Sequence, residues 1–152
     1  MLNMIFLSIM ILFLQKIFTF IFTYGRLNAG GIHMPLKTLS NITVNKVFAA
    51  NRLLKSPVGI TSNRHNRGSW GIVLKKQGKT VYTIKGKQIL SDGNHPVILP
   101  KGCSYSWKCI EPGECIILEF DTDCPFDDIY CFNISDNSFL VNAFNKIEKN
   151  LS

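Results

Sequence analysis

Histidine, cysteine and carboxylate are the side chains here that could do chemistry, and their spacing restricts what they can do. His33, His65 and His95 occur without a His-x-His pair or a second histidine at ligand spacing, so each reads as a surface or capping residue and no metal is expected. The five cysteines, Cys103, Cys109, Cys115, Cys124 and Cys131, are 6, 6, 9 and 7 residues apart. An odd count without Cys-x-x-Cys fits neither a disulfide framework nor a thiolate zinc site, and reduced thiols in a cytoplasmic protein are expected. No serine or cysteine lies in a Gly-x-Ser-x-Gly or helix-start context that would activate it, so no catalytic nucleophile is assigned. Glu119 stands apart as the one carboxylate in the apolar stretch Cys115 to Phe120. Such a group is either solvated on the outside of a strand or polar inside a ligand cavity.

The elements that must position these residues are announced by glycine. Turn signals fall at Gly78, Gly86, Gly93, Gly102 and Gly113, at intervals of 8, 7, 9 and 11 residues. Between them lie the β-rich stretches Trp70–Leu74, Thr80–Ile84, Pro96–Leu99, Tyr105–Trp107 and Cys115–Phe120, of strand length and too short for helices. Evenly spaced short strands predict an antiparallel sandwich or barrel. Before them, Ile42–Phe48 and Leu53–Ile60 read as edge strands, the second broken by Pro57, and Thr61–Ser69 reads as a polar loop. After them, Asp136 is a plausible N-cap, and Phe139, Leu140, Ala143, Phe144, Ile147 and Leu151 recur at helical spacing.

Taken in order, Gly71-Ile-Val-Leu74, Gln77-Gly78, Val81-Tyr82, Lys85-Gly86-Lys87, Gly93, Leu99-Pro-Lys-Gly-Cys-Ser-Tyr-Ser-Trp107 and Glu114–Asp121 resemble the N-terminal cupin barrel of AraC-family transcription regulators. The resemblance covers roughly half the chain, and the order of its motifs carries it. It implies an all-β fold, a cupin or RmlC-like jelly-roll barrel (double-stranded β-helix), with a C-terminal amphipathic α-helix. It also implies an effector-sensing and dimerisation domain for DNA-templated transcription regulation, not an enzyme and without a cofactor. The implied effector is a small polar molecule, with a sugar as one candidate. In sugar-sensing relatives the residues after this Pro-x-Gly point into the barrel, which carries Tyr105 and Trp107 over as ligand-binding candidates, with Tyr82, Arg67 and Glu119 behind them. Metal-dependent cupins place a last histidine where this chain has Tyr105. In the family the helices after the barrel make the dimer contact. This makes Phe139, Leu140, Phe144 and Ile147 candidates for a homodimer or a heterodimer with an intact relative, against simple packing on the barrel. The family's helix-turn-helix has no counterpart before Ser152, so no direct DNA binding is expected. The alternative is a stand-alone small cupin, a sugar-binding module or an isomerase/epimerase-type enzyme.

Three segments follow: 1–33 an apolar leader, 34–135 the barrel, and 136–152 the start of a helical dimerisation or linker region. Leu2 to Tyr24 is long enough to span a bilayer but is interrupted by Gln15 and Lys16 near its centre. No basic n-region precedes the apolar run, which argues against a secretory signal. Ala29-Gly30-Gly31 can be encoded by a purine-rich ribosome-binding sequence just upstream of Met34, so Met34 is the expected start, and a membrane partner follows only if 1–33 is translated.

The formal net charge is +7. Its distribution is uneven, with thirteen basic residues and one acid, Asp92, from Met34 to Ile110, and two basic residues against nine acids thereafter. The lysines gather at turns, with neither interleaved aromatics nor a recognition helix, so a solvated surface is expected rather than a nucleic-acid face.

Overall fold

The run Trp70–Leu74 is apolar on both sides of the strand it forms, and that strand, Trp70–Lys75, is buried at every position. Burial on both faces requires cover on both faces, and the chain supplies a second sheet on one side and two helices on the other. The computed structural model describes residues 4–24, 26–27, 43–53, 57–123 and 128–151. Among them the order is α1 (Met4–Tyr24), β1 (Arg26–Leu27), β2 (Val44–Leu53), β3 (Thr61–Arg64), β4 (Trp70–Lys75), β5 (Lys79–Ile84), β6 (Lys87–Ser91), β7 (Val97–Leu99), β8 (Tyr105–Glu111), β9 (Cys115–Thr122), β10 (Tyr130–Asn133) and α2 (Ser138–Leu151). One sheet runs β1-β10-β7-β4-β9-β2, the other β3-β8-β5-β6, and the pairings are antiparallel.

Strand alternation divides the core in two. From the larger sheet, Trp70, Ile72, Leu74, Leu118 and Phe120 face the helices, while Val73, Val97, Leu99, Cys115 and Cys131 face Tyr82, Ile84 and Tyr105 inside the barrel. The sheets meet along β6 and β10, where the Cys131 thiol donates to the Leu90 carbonyl at 3.4 Å. On the opposite side, between β2–β9 and β3–β8, the inward residues Trp107, Ile117 and Glu119 are only half-buried. The barrel is therefore shut on one flank and open on the other. One end is closed by the stacked β4–β5 and β8–β9 turns: Gly78 has φ +89°, and a Cβ there would stand 2.8 Å from Gly113 N.

Two strand expectations are corrected. Thr61–Arg64 is an edge strand rather than loop; it pairs with β8 and exposes all four side chains, so it lacks an apolar alternation to reveal it. Residues 57–60 form a turn and extended link rather than a strand, and residues 54–56 lie outside the described residues. The Phe/Leu stripe of α2 faces its own sheet: Leu140, Phe144 and Ile147 are 3%, 0% and 1% exposed, and Phe139 stacks on Phe20 at 4.5 Å. The four candidates for a dimer contact are thus packed within the chain.

The cover on that stripe includes α1, set apart above as a leader. Met10, Leu14, Ile17 and Phe18 recur at helical spacing and join the same apolar cluster as Val44, Val47, Phe120 and Phe144. Gln15, polar in an apolar helix, accepts the Val44 N–H at 3.3 Å, meeting an edge-strand donor of β2. Met34 lies outside the described residues.

The start of α2 is also tied down. The Asn137 carbonyl accepts the Val141 N–H at 2.9 Å, while the Asp136 carboxylate accepts the Ser138 N–H at 2.9 Å. Asn137 then turns its side chain away from the helix, donating to Asn94 Oδ1 at 3.0 Å and Gly93 O at 3.3 Å.

Candidate functional site

Arg67 reaches the barrel interior because its backbone is clamped by the turn after β7. Its N–H donates to Cys103 O at 3.0 Å and its carbonyl accepts Gly102 N–H at 2.7 Å. Gly102 has φ +82°, the conformation that glycine supplies at little cost. One residue earlier, Asn66 also takes a positive φ of 45° and donates its N–H to Ser104 Oγ at 2.9 Å. The Pro100–Ser104 segment therefore sets the entry angle of Arg67.

Inside, the guanidinium donates from Nη1 to the Tyr105 hydroxyl at 3.2 Å and from Nη2 to Glu119 Oε1 at 3.2 Å. Its Nε is buried and has no partner. The side chain of Arg67 is 7% exposed and that of Glu119 33%, so one ion of the pair is enclosed and the other reaches solvent. Gly71 pairs with Glu119 across β4 and β9, and its missing side chain leaves room for the guanidinium. Tyr105 packs edge-on against Tyr82 at 5.7 Å, and Trp107 pairs with Tyr82 across β8 and β5. Burial raises the Tyr105 hydroxyl above its ordinary value, with Arg67 acting in the opposite direction; burial also raises Tyr82, and both phenols stay protonated.

The structure thus brings together all five interior candidates, with Tyr82, Tyr105, Trp107 and Glu119 on the inner faces of the two sheets and Arg67 entering from the loop between β3 and β4. Sequence reasoning missed Gly71, which reads as an ordinary strand glycine. It also missed Lys75, which is 8% exposed at the closed end; burial lowers its ammonium, with Cys115, Cys109 and Asp92 pulling the other way. A lysine at the end of an apolar strand gives no sign of pointing inward.

The described thiols of Cys103, Cys109, Cys115 and Cys131 are buried and form no disulfide with one another, and Cys124 lies outside the described residues. Burial pushes Cys131 up to about 12 and raises Cys103 and Cys115. Cys103 donates its S–H to Pro100 O at 2.9 Å. His95 Nδ1 lies 2.7 Å from Asp92 Oδ1 within its turn, His65 is exposed, and His33 lies outside the described residues. Among the described residues no group of three His, Cys, Asp or Glu could hold a metal ion.

No protein-family profile and no curated protein matches the chain. Among solved structures, apo ToxT from Vibrio cholerae strain SCE256, an AraC-family protein, aligns with a TM-score of 0.52 at 12% identity, covering 66% of this chain and 46% of that one. The fold is a cupin barrel. Two further solved structures align more loosely. The predicted oxalate decarboxylase from Thermotoga maritima gives a TM-score of 0.39 at 16% identity over 61% of this chain and 79% of its own. The Cnp3 cupin domain of Schizosaccharomyces pombe gives 0.40 at 16% over 82% and 71%. The chain described here spans less than half the length of the ToxT chain it matches.

Proposed function

We propose that this cupin barrel is a non-enzymatic effector-sensing domain of the AraC type, acting in the cytoplasm, where its buried thiols stay reduced. The observation that carries this reading is the Arg67–Tyr105–Glu119 cluster, set behind half-buried Trp107 on the open flank. Ligand sites pair apolar and aromatic walls with a few fixed polar groups, and this flank has both. A binding role is supported over catalysis because the thiol beside the cluster, Cys103, is kept protonated by burial and engaged with a carbonyl.

The test is ligand-dependent stabilisation of the full chain against a set of small polar metabolites, sugars and acids included, read by melting temperature and Trp107 fluorescence. Binding of at least one compound, lost in Trp107→Ala, is expected. A set that produces no stabilisation and no fluorescence change would end the effector reading.

A further inference from the structure

We infer that the barrel site takes an organic carboxylate with a compact apolar or ring body, its oxygens replacing Glu119 on Nη2 of Arg67 and reaching the unpartnered Nε as Glu119 gives way toward solvent. The inference rests on the effector-binding reading and narrows it to a ligand class.

The first support is the donor inventory. A guanidinium presents five N–H donors in a planar fork. Here one from Nη1 goes to Tyr105 and one from Nη2 to Glu119, while Nε is buried without an acceptor. Buried donors in native proteins are rarely left unpaired, and each one that is left weakens the fold. The vacancy lies on a side chain more than nine-tenths buried.

Glu119 supplies the second support. It meets Arg67 through one oxygen at 3.2 Å, longer than the 2.7–2.9 Å typical of a charge-assisted bond, and its side chain is one-third exposed. A carboxylate held so loosely at the solvent side of a buried cation can be displaced by another. A ligand carboxylate can engage Nε and Nη2 together, which a neutral hydroxyl does not match in charge or in number of bonds. The Tyr105 oxygen already accepts from Nη1, so its own proton is available to a second acceptor.

The walls define the rest of the molecule. Trp107 and Ile117 are half-buried on the open flank and pack with Tyr82 and Tyr105 in the interior cluster. They offer an aromatic and aliphatic lining to the body of the ligand. Arg64 stands opposite Tyr105 across β3 and β8, which adds a positive charge near the entrance.

The experiment titrates the full chain with benzoate, phenylacetate and octanoate, each beside its primary amide, and with D-xylose, at constant ionic strength. Binding is read by calorimetry and Trp107 fluorescence. At least one acid is expected to bind roughly ten- to a hundredfold more tightly than its amide. Arg67→Gln should reduce the acid to the level of the amide, and Glu119→Gln, which removes the competing charge but keeps the shape, should tighten acid binding. Circular dichroism checks that both variants are folded, and if Arg67→Gln does not fold, the Glu119→Gln result decides. Acids that bind no better than amides, or that weaken on Glu119→Gln, overturn the inference. Binding of D-xylose but of no acid overturns it too while leaving the effector reading intact; silence from every compound counts against both.

Discussion

The guanidinium of Arg67 lies over Gly71 so closely that a Cβ on residue 71 would stand 2.5 Å from Nη2 and 3.1 Å from Cζ. The obstacle is the far end of a flexible side chain, so Gly71→Ala should fold. A strand glycine is weaker than alanine by about 0.5–1 kcal/mol, while the displaced guanidinium loses hydrogen bonds worth about 1.5–3 kcal/mol. The expected outcome is a stability within about 2 kcal/mol of the parent by urea denaturation, with ligand-induced stabilisation lost. Retained binding would mean that the guanidinium position is immaterial.

The two tryptophans should separate by environment. Trp70 is 4% exposed and packs on Phe120 with ring centroids 6.3 Å apart, so Trp70→Ala should cost about 3–5 kcal/mol. Trp107 is half-buried, and Trp107→Ala should cost clearly less while removing the ligand response. Equal losses in thermal melts would assign Trp107 to the core alone.

Lys75 provides a pH-dependent test. Burial lowers its ammonium from 10.5, so the unfolded chain binds this proton more tightly than the folded one. The resulting cost is complete below the folded value and fades as pH rises through the unfolded value. Lys75→Met should therefore gain about 1 kcal/mol at neutral pH. That advantage should shrink toward pH 10.5, as paired urea titrations would reveal. A gain independent of pH would point to packing instead.

Phe18 tests whether the N-terminal helix belongs to the folded domain. It is 1% exposed and meets Phe120 edge-on at 5.3 Å. Phe18→Ala should lower stability by about 3–5 kcal/mol in denaturant titrations. An unchanged midpoint would return α1 to the role of a leader outside the domain.

Much of the barrel is legible in the sequence because its central strands are short, β-rich and bounded by glycine turns, as in Cys115–Phe120 after Gly113. Among the strands that escape notice, Thr61–Arg64 and Lys87–Ser91 are edges and largely exposed, so hydrogen bonding and not burial holds them, whereas Tyr130–Asn133 is a buried strand inside the larger sheet. The packing of α1 is illegible for a different reason: so much of the helix is apolar that its Met10–Leu14–Ile17–Phe18 face does not stand out, and its partners, Phe120 and α2, are residues more than a hundred positions away. At the site, the residue types of Arg67, Tyr105 and Glu119 are visible in the chain. Their meeting depends on the Gly102 turn and on the vacancy at Gly71, which are features of three dimensions.

Strand β9 places Glu119 on the inner face and Leu118 and Phe120 on the outer one, so neighbours in the chain serve opposite layers. One peptide unit separates the carboxylate that holds Arg67 from the ring that contacts Phe18. A substitution that reshapes the backbone at residue 119 is therefore shared by 118 and 120, so the binding layer and the helix-bearing layer of the domain are not independent targets for mutation.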